Sequence, residues 1–197
     1  MKYYKLGNIK ILEARHSNPL DCVFADGTFS YYVSESDEEL KAPFEEIGKE
    51  KLPAEAIEQM RANLEGTKAK LLEEAKKNVG NITYFRSEVL GEEHWYDMGE
   101  QDQINLSQAR EYLSLMPEDT KVKIRCTNAE DIKDNLEHTK EQVNQLFEDW
   151  YALKSAILNA FSTFKIELEN ALSKSEAEAM FEAFVQTSMT ISSTTNK

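Results

Sequence analysis

The stretch LEHTKEQVNQLFEDWYALKSAILNAFSTFKIELENAL, residues 136–172, decides the fold, because it lacks proline and glycine and repeats its apolar residues every seven positions. Leu136, Val143, Trp150, Ile157, Phe164 and Ala171 form one series, and Leu146, Leu153 and Ala160 follow three residues behind it. That spacing draws an apolar seam along one long helix. Past Ala160 the seam moves one place, to Phe161 and Leu168, the drift of a helix that nothing forces into a strict heptad repeat. The bulk of Trp150, Phe161 and Phe164 suits an irregular helical interface better than a uniform zipper. Val143, Leu146, Trp150, Leu153, Ile157 and Phe164 are therefore the candidate interaction residues. The alternative is that the same stripe is the core side of a helix folded back on residues 53–79 of its own chain.

Working outward, Asn128 is expected to cap this long helical region, 128–184, which ends in a second helix over 175–184. There Ser175 and Glu178 stand at capping-box spacing. Upstream, Lys121 to Cys126 alternates strictly, with Val122, Ile124 and Cys126 on one face and Lys121, Lys123 and Arg125 on the other, as a half-buried strand requires. Asp102 is expected to cap a helix through Leu106, Ala109 and Leu113 that stops before Pro117. Strand-like segments lie at 82–90 and 94–97. Pro53 suits the first turn of a helix carrying Ile57, Met60, Leu64 and Leu71 and closed by Gly80. Residues 52–127 thus read as a mixed middle module.

The first 51 residues read as a small β-rich region. Asp26-Gly27 between two aromatic, β-branched runs signals a hairpin, Ile9-Lys10-Ile11 suggests another short strand, and the acidic segment 34–51 reads as a connection with one helical turn. At the other end, residues 185–197 are Ser/Thr-rich with only Met189 and Ile191 as sizeable apolar groups, which predicts a flexible tail or a segment that pairs with a sheet edge. The expected fold class is α+β: a small antiparallel N-terminal sheet, a short mixed middle module and a long C-terminal amphipathic helix.

Composition narrows the function. Lys and Arg total 23 against 36 Asp and Glu in 197 residues, a net charge of −13, which disfavours nucleic acid and anionic lipid as main partners. The opening MKYYKL lacks the apolar core of a secretory signal, and no run approaches a membrane span, so the expectation is a cytosolic chain. Cys22 and Cys126 lie far apart without CxxC spacing and read as ordinary thiols. Motifs for dinucleotides, phosphates, zinc and acyl transfer are absent. Asp134, His138 and Glu141 have helical spacing that would offer metal ligands from one face, and Glu92, Glu93, His94 and Asp97 beside Trp95 and Tyr96 imitate an acid–base pocket. Both are better read as surface and loop residues. No catalytic, cofactor-binding or metal residue is assigned, and no cofactor is expected.

The segment WYDMGEQDQINLSQA, residues 95–109, resembles a phrase of bacteriophage tail-fibre and tail-fibre assembly proteins, in which an aromatic strand end leads through a polar stretch and Asn-Leu into a small helix. The run 122–160 resembles the next part of that module: a strand, a helix carrying HTKEQ (138–142), and an apolar helix containing LKSAI (153–157). A domain of unknown function from phage tail regions has this order of elements. The resemblance implies a non-enzymatic phage or prophage protein that binds a tail-fibre protein and assists its folding or attachment, working in the host cytoplasm. The alternative it implies is a structural part of the virion tail, homo-oligomeric through the long helix.

Overall fold

Alternating and periodic apolar residues sort the described residues into two antiparallel sheets and four α-helices. The structure, a computed structural model, describes residues 1–7, 21–26, 28–34 and 44–194. The expected strand at Ile9–Ile11 lies outside these residues, as does the 35–43 half of the acidic connection. The chain divides into two units, Met1–Leu71 with Ala171–Glu178, and Leu72–Asn170 with Ala179–Lys197. The four-part division at 51, 127 and 184 is therefore corrected: strands of the middle module and the long helix share one core.

In the first unit, β1 (Lys2–Gly7), β2 (Asp21–Ala25), β3 (Phe29–Ser34) and β4 (Glu45–Ile47) form a sheet in the order β2-β3-β1-β4. The β2–β3 hairpin forms where Asp26-Gly27 predicts it, and the Asp26 carboxylate accepts backbone N–H bonds from Thr28 and Phe29 at 2.9 and 2.8 Å. Those bonds hold its carboxyl below the usual range. β4 was not foreseen; its two glutamates are exposed and only Ile47 is buried, so it carries little hydrophobic signal. Val23, Tyr31, Ile47, Leu52 and Ala56 make this unit's small core, with Ile57 and Met60 beside it. Helix α1 (Ala54–Gly80) starts one residue after Pro53, as expected.

In the second unit, β5 (Tyr84–Ser87), β6 (His94–Asp97), β7 (Val122–Thr127) and β8 (Lys133–His138) form a meander in the order β5-β6-β7-β8. Gly91 turns the β5–β6 connection at φ 88°, a conformation glycine adopts without strain. Helix α2 (Glu100–Leu115) separates β6 from β7, and α3 (Lys140–Asn170) follows β8. Asp102 sits within the first turn of α2; its cap residue is Gly99.

Two helix boundaries also differ from the sequence reading. Asn128 does not cap the long helix; its side chain accepts N–H bonds from Glu130 and Ile132 in the β7–β8 turn. The helix begins 12 residues later, at Lys140, where the Thr139 N–H donates to Gln142 Oε1 at 2.8 Å and Thr139 Oγ1 faces the Gln142 N–H, a capping box. Helix α4 (Lys174–Thr194) is capped by Ser173, whose Oγ accepts the Glu176 N–H, rather than by Ser175.

The predicted flexible tail is corrected as well, since α4 runs through it to Thr194. Phe184, Ser188 and Ile191 recur at steps of four and three, burying the first two and packing the third against the unit's core. Thr187, Thr190 and Ser192 donate their hydroxyls to carbonyls four residues back, which lets a Ser/Thr-rich segment stay helical with its polar groups bonded. Truncation after Phe184 should therefore lower the thermal midpoint, with Ile191→Ala alone costing about 1–2 kcal/mol in chemical denaturation. Midpoints equal to the full chain's would show that the last helical turns contribute nothing to the core.

Candidate interaction surface

The inner face of the second sheet and the helices across it define what is left open. Phe85, Tyr96, Leu106, Leu113, Cys126, Val143, Leu146, Trp150, Leu153 and Ile157 make one buried cluster. Phe164 is buried too, stacked on Phe184 at 4.9 Å between ring centroids. All six candidate interaction residues, Val143, Leu146, Trp150, Leu153, Ile157 and Phe164, thus pack within the chain. The seam is a core stripe, covered by this unit's own sheet and helices.

Polar side chains pin α3 to the sheet. The Ser87 hydroxyl of β5 donates to the Asp149 carboxylate of α3, and Gln142 Nε2 donates to the Val89 carbonyl at 2.8 Å. On the other flank Arg110 Nε donates to Asn144 Oδ1 at 3.0 Å, and Arg110 lies 4.4 Å over the Phe147 ring, joining α2 to α3. Lys154 sits 4.9 Å over Trp150 and donates to Gln103 Oε1. A shallow open depression of about 340 Å³ lies beside this stack, lined by Gln103, Ile104, Ser107 and Trp150 among others.

Beneath the helix is a buried polar chain. His138 Nδ1 lies 2.8 Å from the Leu136 carbonyl, which can only accept, so that nitrogen carries the proton. Nε2 then accepts the Tyr96 O–H at 3.0 Å. Both rings are almost inaccessible to solvent. Burial lowers the His138 pKa, opposed by the Leu136 carbonyl and assisted by His94. Burial first, and then Cys126 and Asp149, push the Tyr96 phenol far above its usual value, and burial likewise raises the Cys126 thiol. These groups stay neutral and hydrogen-bonded, closing a polar seam inside an apolar core.

The weak candidates come apart for reasons of geometry. Asp134 and His138 belong to strand β8, where four residues span roughly 13 Å, and Glu141 accepts from Thr139 Oγ1 in the first turn of α3. Among the described residues, no group of His, Cys, Asp and Glu is placed to hold a metal ion. The segment 92–97 splits because neighbours in a strand face opposite ways: His94 and Tyr96 point inward, while Trp95 faces out beneath Arg86, 5.3 Å from its ring. Glu93 pairs with Arg86 at 3.6 Å and Asp97 with Lys133 at 3.4 Å.

The open surface of α3 is the side away from its core stripe. Tyr151, Leu158 and Ile166 are 61, 50 and 60% exposed, and at about 3.6 residues per turn they fall on one line with Ser155 and Ser162 between them. Sequence reasoning missed this stripe because its seven- and eight-residue steps run beside the stronger internal seam. Among the described residues, no helix is long and apolar enough to cross a membrane. No protein-family model, no curated protein and no solved structure matches the chain.

Two measurements follow from the buried groups. Trp150→Ala should cost about 3–5 kcal/mol in chemical denaturation; a loss under 1 kcal/mol would remove the indole from the core. Because the folded-state pKa of His138 lies below its unfolded value near 6.5, the unfolded chain takes up the extra proton as pH falls below about 6.5. The stability that neutral His138 contributes is complete above that pH and declines until the lowered folded value is passed. His138→Gln should flatten the stability curve as pH falls below about 6.5, and an unchanged slope would show that His138 is not the group responsible.

Proposed function

We propose that this chain is a non-enzymatic assembly chaperone of the bacteriophage tail, which binds a tail-fibre protein through the outer stripe of α3. The observation that carries the proposal is the alignment of Tyr151, Leu158 and Ile166 in solvent on a helix whose opposite side is already committed to the core. Single apolar residues on a surface are ordinary, but three aligned along one helix, with small serines between them, offer apolar anchor points over roughly 22 Å. Such a strip suits the groove between helices or the apolar flank of an unassembled fibre. The identity of the partner rests on the resemblance of residues 95–109 and 122–160 to phage tail-fibre assembly proteins.

A chaperone acts by covering its client's apolar surface until assembly and then leaving. Its own binding face must therefore be exposed in the free protein without endangering its core. α3 meets that requirement, since its two apolar stripes are separated around the helix. The acidic balance of −13 keeps a protein that exposes such a strip soluble.

Leu158→Glu with Ile166→Glu should leave the unfolding free energy within about 0.5 kcal/mol of the parent, because both positions face solvent. The same variant should lose the ability to raise the soluble yield of the fibre protein co-expressed from the same genome. An undiminished yield would exclude the outer stripe as the client site. Mass spectrometry of purified particles should find the fibre but not this chain; stoichiometric retention would make it a permanent tail component.

A further inference from the structure

The outer face of the second sheet carries charge of the opposite sign to the chain as a whole. Strand alternation places Lys123 and Arg125 of β7 on that face, opposite Glu137 and Asn135 of β8, and both cations are exposed. Arg86 and Lys133 stand on the same face, and of its carboxylates Asp97 is engaged by Lys133 at 3.4 Å and Glu137 by Lys121 at 3.5 Å. Lys123 and Arg125 have no carboxylate within ion-pairing distance among the described residues. They are separated by one residue on a strand, so their Cα atoms stand about 6.6 Å apart. Next to them, Trp95 lies across from Thr127 in the β6–β7 register, under the Arg86 guanidinium. A cationic, aromatic-bearing sheet face thus stands on a chain of net charge −13.

We propose that this face is a docking site for an acidic polypeptide segment in extended conformation, with carboxylates at alternate positions. An extended peptide repeats its side chains on one face every two residues, the same spacing as Lys123 and Arg125, so two carboxylates of one segment meet both cations at once. The surroundings favour a peptide over single-stranded nucleic acid. Only two cations are unengaged, and every further phosphate of a polyanion would meet the acidic remainder of the chain, whereas a peptide presents neutral residues beyond the paired positions. This site lies on the opposite side of the sheet from α3, so it is independent of the stripe assigned to the fibre client and its test does not depend on that assignment.

The test uses the full chain with a fluorescein-labelled peptide of four Glu-Thr repeats, read by fluorescence anisotropy at 50 and 300 mM salt. A Lys-Thr peptide and a twelve-nucleotide thymidine strand serve as comparisons. The acidic peptide should bind, weaken with salt, and lose at least tenfold in affinity in Lys123→Glu/Arg125→Glu. An Arg61→Glu/Lys77→Glu variant, which changes net charge equally but leaves the sheet untouched, should bind within twofold of the parent. Lys123→Gln/Arg125→Gln, a milder change, should show an intermediate loss with an unaltered circular dichroism spectrum. Absence of binding, an equal loss in the Arg61/Lys77 variant, or tighter binding of the thymidine strand than of the acidic peptide would each overturn the proposal.

Discussion

Everything in the larger unit depends on the seating of α3 against the inner face of its sheet. Val143, Leu146, Trp150, Leu153 and Ile157 enter that interface as one stripe, meeting Phe85, Tyr96 and Cys126 from three different strands. At about 1.5–3 kcal/mol for each large side chain removed from water, this single contact outweighs any of the surface ion pairs, which contribute about 1 kcal/mol or less. The hydrogen bonds beneath it serve a different purpose. Ser87 to Asp149 and Tyr96 to His138 satisfy groups that would otherwise be stranded in an apolar interior, and they hold only when helix and strands are in one register.

The parts of this arrangement that were legible in the sequence are those with strong, uninterrupted periodicity. The α3 seam, the alternation of Val122 to Cys126, the Asp26-Gly27 hairpin and the break before Pro117 all appear where local pattern and tertiary packing agree. β8 was hidden because Lys133–His138 has Leu136 as its one aliphatic residue and lies on a sheet edge, exposing most of its side chains. Leu136 also stands seven residues before Val143, a coincidence that prolongs the helical pattern backward into a strand. The C-terminal turns were obscured for the opposite reason: Ser and Thr are weak helix formers, and only contacts with distant residues reveal that Phe184, Ser188 and Ile191 share a buried face.

The candidate site was half legible. Periodicity located the helix that matters but pointed to its strongest stripe, and the strongest stripe of a helix in a folded chain goes to the core. Whether a seam joins two chains or one chain to itself depends on the sheet that covers it, and part of that sheet's inner face is built from Ser87, His94 and His138, which carry no hydrophobic signal. The weaker outer stripe at Tyr151, Leu158 and Ile166, and the basic outer face at Lys123 and Arg125, become visible as surfaces only after the inner faces are assigned. The unit then presents two unlike faces, one carrying three exposed apolar side chains on α3 and one carrying the cations of the sheet, joined through one core.

The α3 seam is satisfied within a single chain. Amide hydrogen exchange across residues 143–157, followed from high to low micromolar protein concentration, tests it most directly. An intramolecular core predicts strong protection of these amides that does not change on dilution. Protection that falls as the protein is diluted would show instead that the seam is closed by a second chain.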